Sequence, residues 1–61
     1  MPFIDVSILE GRTIEEKQAI IKKLTEALVS TISCPHDTVH VTIKELKAEN
    51  IGKGGKMPFV K

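Results

Sequence analysis

Pro2 is the residue with the most chemistry to offer, under one condition. Inside a chain, a proline nitrogen is an amide with no proton and no basicity. At a free amino terminus it is a secondary amine. A small second residue such as proline permits removal of the initiator Met, so loss of Met1 would leave that amine at the start of the chain. An unperturbed α-amino group titrates at about 7.7–8.0. An apolar wall and nearby cations both favour the neutral amine and lower that value. A general base works best with a pKa near the operating pH. A Met-Pro start is common in itself, and with Met1 retained Pro2 is an amide and no base.

Other groupings carry less. Cys34, His36 and Asp37 share a short loop, which brings a thiol and an imidazole close in sequence. Catalytic thiol–imidazole pairs usually come from distant segments, so this reads as a turn. One cysteine and two histidines without close spacing do not make a structural zinc site. Gly52-Lys53-Gly54-Gly55-Lys56 lacks the spacing of a phosphate loop, and no helix signal follows it.

The elements that must position Pro2 are plain in the patterning. From Phe3 to Leu9, Ile4, Val6 and Ile8 alternate with Phe3, Asp5, Ser7 and Leu9, the period-two signature of a strand. Glu10-Gly11-Arg12 breaks it. Thr13-Ile14-Glu15-Glu16 reads as a capping box, with Thr13 as N-cap and Glu16 reaching back to its amide. A helix to about Ser33 follows, with Ile20, Leu24, Ala27, Leu28 and Ile32 on one face and Ile21 widening it. Cys34-Pro35 ends it, because the residue before proline disfavours helix. Thr38 to Leu46 reads as a second strand. Strand, helix, strand is a βαβ unit with parallel strands and a right-handed crossover. In the tail from Lys47, Gly52-Lys53-Gly54-Gly55-Lys56 reads as a flexible turn, a short hairpin or loop, ending in an apolar Met57-Pro58-Phe59-Val60 that would dock on a neighbouring subunit.

Such a chain is short of core. Its 61 residues allow one α/β (α+β) domain, 1–61. Scaffolds of this size usually need disulfides, a metal or oligomerisation. With Cys34 as the sole cysteine an intrachain disulfide is excluded, and oligomerisation is the remaining route. A net charge of +1, without Trp or Tyr, argues against a nucleic-acid partner. No apolar run has the length of a membrane span. The amino terminus lacks the basic-then-apolar pattern of a signal peptide. With a free thiol, these features place the expected home in the cytoplasm.

The run Pro2-Phe3-Ile4-Asp5-Val6-Ser7-Ile8-Leu9-Glu10-Gly11-Arg12-Thr13 resembles the start of the 4-oxalocrotonate tautomerase family: a proline, a short strand, then Leu-Glu-Gly-Arg into a helix. The resemblance continues through Glu15-Glu16-Lys17, Pro35 and the Gly52-Lys53-Gly54-Gly55 turn, from position 2 to about 56 without a gap. It implies βαβ subunits that pair into four-stranded sheets, with three pairs forming a homohexamer and active sites where subunits meet. It implies an isomerase without metal or organic cofactor, whose amino-terminal proline moves a proton in a small 2-hydroxy or 2-oxo unsaturated acid such as 2-hydroxymuconate. By the same resemblance, Arg12 binds a substrate carboxylate from a neighbouring subunit. A guanidinium suits that task, since its planar fork holds a carboxylate by two parallel bonds. The rival reading of Arg12 is a solvated loop cation or a salt bridge, with Glu10 as a candidate partner.

Two positions depart from the family pattern. Where well-studied members carry a second arginine early in the second strand, this chain has His40. An ordinary imidazole titrates at about 6.5 and is mostly neutral at pH 7. Loss of a preorganised cation beside a developing oxyanion can cost about 3 kcal/mol. His40 reads equally as an electrophile at the substrate and as a strand residue at a subunit interface. Ile51 stands where an aromatic residue often precedes the glycine turn. It can still exclude water from the base, in a pocket of different shape. Lys44, Lys53 and Lys56 are candidate replacement cations, although a charged loop face is the more usual reading of them. These departures keep two further readings open: a tautomerase-fold oligomer without catalysis, and hydration or dehalogenation of unsaturated acids with the proline as a cationic acid.

Overall fold

The computed structural model describes residues 1–61. Strand β1 runs Phe3–Leu9, helix α1 Ile14–Ile32 and strand β2 His40–Leu46. Single 3-10 turns occupy His36–Thr38 and Ala48–Asn50. The strands pair in parallel, from Phe3 opposite His40 to Leu9 opposite Leu46. This is the expected βαβ order. The second strand starts two residues later than its pattern suggests. Thr38 belongs to the turn, where its hydroxyl and its N–H both donate to the carbonyl of Pro35.

Helix α1 starts as its sequence requires. Glu16 N–H donates to the Thr13 hydroxyl at 3.0 Å, and Thr13 N–H donates to Glu16 Oε1 at 3.1 Å. Two amides that the first turn would leave unpaired are thus satisfied. The helix ends at Ser33, which adopts a left-handed conformation with φ 56°, its N–H donating to the Val29 carbonyl. Glycine is the usual occupant of such a position. The half-buried helix positions are Lys17, Ile20, Leu24, Thr25, Leu28 and Val29, whereas Ala27 and Ile32 are exposed. The apolar stripe is therefore rotated slightly from its expected position, and α1 leans on β2.

One side of the sheet, with Ile4, Val6 and Ile8 beside Val41 and Ile43, is half-covered. Glu45 lies on this side, opposite Ile8, and meets Lys17 of α1 at 2.9 Å. On the other side, Phe3, Asp5, Ser7, His40, Thr42 and Lys44 are exposed. No residue is fully buried. The accessible surface is 5031 Å², whereas a compact monomer of 6.7 kDa exposes about 3,900 Å². The radius of gyration is 14.6 Å, against about 10.5 Å for a compact chain of this length. Ile14, Met57, Phe59 and Val60 stand in water. A protomer of this shape lacks the core to support itself.

Candidate active site

Pro2 sits just ahead of β1 and continues its half-buried alternation: Pro2, Ile4, Val6, Ile8. Its carbonyl accepts the N–H of His40 at 3.0 Å, so the head of β1 is tied to the head of β2. Met1 precedes it and is 81% exposed. With Met1 attached, the nitrogen of Pro2 is an amide.

His40 lies at the same end of the sheet as Pro2, on the other face. Its ring stacks on Phe3, with centroids 4.8 Å apart and planes 19° from parallel. Its Nδ1 lies 3.2 Å from the carbonyl oxygen of Thr38. Within one chain, the imidazole and the proline ring are thus divided by the sheet. Sequence reasoning left the face of His40 open. The signal was present in the alternation, since Val39 and Val41 flank His40 and are the half-buried pair.

Arg12 is far from both. It follows the carboxyl end of β1, and seven strand residues span about 20 Å. Its side chain is 62% exposed, and Nη1 lies 3.5 Å from Glu16 Oε2. The partner is therefore Glu16 and not the expected Glu10. The reason is the capping box: holding Oε1 on the Thr13 amide turns Oε2 toward Arg12. These contacts hold the Glu16 carboxyl below the usual carboxylate range, the Thr13 backbone hydrogen bond first among them and Arg12 adding to it.

Ile51 is half-buried and closes the Ala48–Asn50 turn, its N–H donating to the Ala48 carbonyl. It lies one 3-10 turn beyond the end of β2, which is also the Arg12 end, where Glu10 N–H donates to Leu46 O. The four candidate residues thus divide into Pro2 and His40 at one end of the sheet, and Arg12 and Ile51 beyond the other. A small acid cannot touch all four in one chain. Of the replacement cations, Lys44 shares the face of His40 but stands four strand residues on, about 13 Å away. Lys53 and Lys56 face each other across the glycine hairpin. The one groove of the protomer, lined by Ile14, Lys17, Gln18, Ile21 and Ile43, lies beside α1 and includes none of the four.

A parallel βαβ protomer with a near-terminal proline at one end of its sheet and an arginine beyond the other is the arrangement to compare with known proteins. Comparison with known proteins shows the class, an isomerase of tautomerase type. Residues 2–61 match the family model described as tautomerase enzyme. The 2-hydroxymuconate tautomerase of Comamonas testosteroni is 44% identical over 55 residues, covering 90% of this chain and 87% of that protein. The crystal structure of TomN, a 4-oxalocrotonate tautomerase homologue of the tomaymycin biosynthetic pathway, superposes with a TM-score of 0.88 at 36% identity, covering 92% of this chain and 86% of that one. A fused 4-oxalocrotonate tautomerase described as an asymmetric trimer is 38% identical, with a TM-score of 0.86 over 92% of this chain and 46% of that one. The chain belongs to the tautomerase family, alongside 4-oxalocrotonate tautomerases.

Proposed function

We propose that this protein is a cofactor-independent tautomerase acting on a small 2-hydroxy or 2-oxo unsaturated acid, with Pro2 as its base once Met1 is removed. The observation that carries this reading is the placement of Pro2: half-buried, fixed through its carbonyl to His40, and next to an exposed Met1. In the reaction, the neutral amine takes the enol proton. The O–H pair becomes the new C=O bond, and the conjugated π pair moves outward. The proline ammonium then gives its proton to a distal carbon, which completes a 1,3- or 1,5-shift with no net change in protons. Pairing of a guanidinium with a carboxylate is the chemistry we assign to Arg12 of a neighbouring subunit. Ile51 is assigned to the apolar wall that keeps the amine neutral.

The assembly belongs to the same proposal. The exposed apolar surface, the two uncovered strand edges and the separation of Pro2 from Arg12 all support one domain completed by copies of itself, as a hexamer built from three pairs. No helix is long and apolar enough to cross a membrane. The cytoplasm is the proposed compartment, in keeping with the free Cys34 thiol.

The test is ketonisation of 2-hydroxymuconate followed by ultraviolet absorbance, with mass spectrometry to show Met1 removed. A fall of at least a hundredfold in Pro2→Ala supports the base. Wild-type turnover no faster than buffer supports the second reading, a tautomerase-fold oligomer without catalysis, which a retained Met1 would enforce.

A further inference from the structure

Lys53 and Lys56 are held opposite each other across a tight hairpin. Lys53 N–H donates to the Lys56 carbonyl at 2.7 Å, and Lys56 N–H donates to the Lys53 carbonyl at 3.1 Å. Gly54 and Gly55 make the turn, both left-handed, with φ 60° and 81°. Two successive residues of that kind suit the short hairpin. Residues that exchange both bonds stand about 5.5 Å apart at Cα and send their side chains to one face. The two ammonium groups therefore share a side of the ribbon. The ion pairs of the protomer are Arg12 with Glu16 and Lys17 with Glu45, so neither hairpin lysine is paired with a carboxylate. Like charges set directly opposite each other repel. An anion placed between them relieves that repulsion and meets only donors.

The hairpin also has a fixed address. Two residues of chain span at most about 7 Å, so the Lys53 backbone stays within that distance of Ile51. Ile51 follows the turn after β2, beyond the same end of the sheet as Arg12. Wherever Ile51 lines a site, the paired lysines stand beside it.

We infer that Lys53 and Lys56 bind the second carboxylate of a dicarboxylate substrate, at the edge of the site walled by Ile51. This rests on the proposed tautomerase reading and names its substrate class, an unsaturated 2-hydroxy diacid with one carboxylate on Arg12 and the other on the hairpin. The proton transfer stays with Pro2. The lysines meet a carboxylate that neither gains nor loses a proton, so they set which acid binds.

The test compares 2-hydroxymuconate with 2-hydroxyhexa-2,4-dienoate, the same dienol with a methyl group in place of the distal carboxylate. The protein with Met1 removed should favour the diacid in kcat/KM. In the double variant Lys53→Gln, Lys56→Gln the diacid-to-monoacid ratio should fall by about ten- to a hundredfold, the range of a hydrogen bond to a charged group, carried by KM. The pair Lys53→Arg, Lys56→Arg should restore most of it. A measurement free of variants titrates the wild-type protein with muconate and with hexa-2,4-dienoate, which lack the reacting hydroxyl. The Lys53 and Lys56 side-chain signals in ¹H–¹³C NMR should move with the diacid and stay with the monoacid. An unchanged ratio in the glutamine variant overturns the inference, as do lysine signals that ignore muconate. Either result leaves the tautomerase reading standing if turnover still collapses in Pro2→Ala. Turnover of both dienols that is insensitive to Pro2→Ala overturns that reading and this inference with it.

Discussion

Glu16 holds Arg12 and its own helix cap with the same carboxylate: Oε2 lies 3.5 Å from the guanidinium while Oε1 accepts the Thr13 amide. Arg12 is thereby oriented but left largely in water, with donors free for a second anion. A substrate carboxylate would compete with Glu16 for it. Arg12→Ala should raise KM for carboxylate substrates about tenfold or more, with a smaller change in kcat. Glu16→Gln, which can still accept the Thr13 amide, should lower KM. Steady-state kinetics on both variants decides this, and an unchanged KM in Arg12→Ala removes that residue from the site.

The same carboxylate makes an acid-sensitive cap. Its pKa in the folded protein is lowered, chiefly by the Thr13 backbone hydrogen bond. The folded state therefore prefers the ionised form. The stabilisation is complete above the ordinary Glu value of about 4.3 and is lost as pH falls through the lowered value. In urea melts at pH 6 and pH 3, the difference between the two midpoints should be smaller in Glu16→Gln than in wild type. An identical acid sensitivity would remove Glu16 as its source.

Loss of the Thr13 hydroxyl should weaken the start of α1 by about 1 kcal/mol per protomer, and Thr13→Ser should restore most of it. Circular dichroism during urea unfolding, at one fixed protein concentration, measures both.

Ser33 offers the opposite prediction. A left-handed backbone at a residue with a side chain costs about 1 kcal/mol, and glycine relieves it. Ser33→Gly, at φ 56°, should raise the unfolding midpoint. A destabilised variant would mean that this turn does not persist in solution.

Stability should depend on protein concentration, since a chain without one fully buried residue gains its core by association. The melting temperature should rise with each dilution step reversed, and light scattering should show an oligomer at micromolar concentration. A folded monomer with a concentration-independent melt would refute the assembly.

The sequence made the local architecture legible, because local architecture is written in local patterns. Alternation set β1, the Thr13–Glu16 box set the start of α1, and Cys34-Pro35 announced its end. Less local features were harder to read. Thr38 has strand propensity, yet its hydroxyl finds the Pro35 carbonyl and keeps it in a turn. Ser33 fills a place where glycine is the usual signal. Arg12 pairs with Glu16 through a cap whose second oxygen no spacing rule names. At the candidate site, residue types were legible but their division between two ends of a sheet was not. That division follows from parallel pairing, which sends both strands in one direction and leaves Pro2 and His40 at the start and Arg12 and Ile51 past the finish.

The length of β1 has a genetic consequence. If each site borrows its arginine from a neighbour, the base and the clamp are inherited from different copies. Two inactive variants, Pro2→Ala and Arg12→Ala, would then rescue each other when unfolded together and refolded as mixed assemblies. Some sites would receive an intact proline from one parent and an intact arginine from the other, and heterozygous loss would be partly masked.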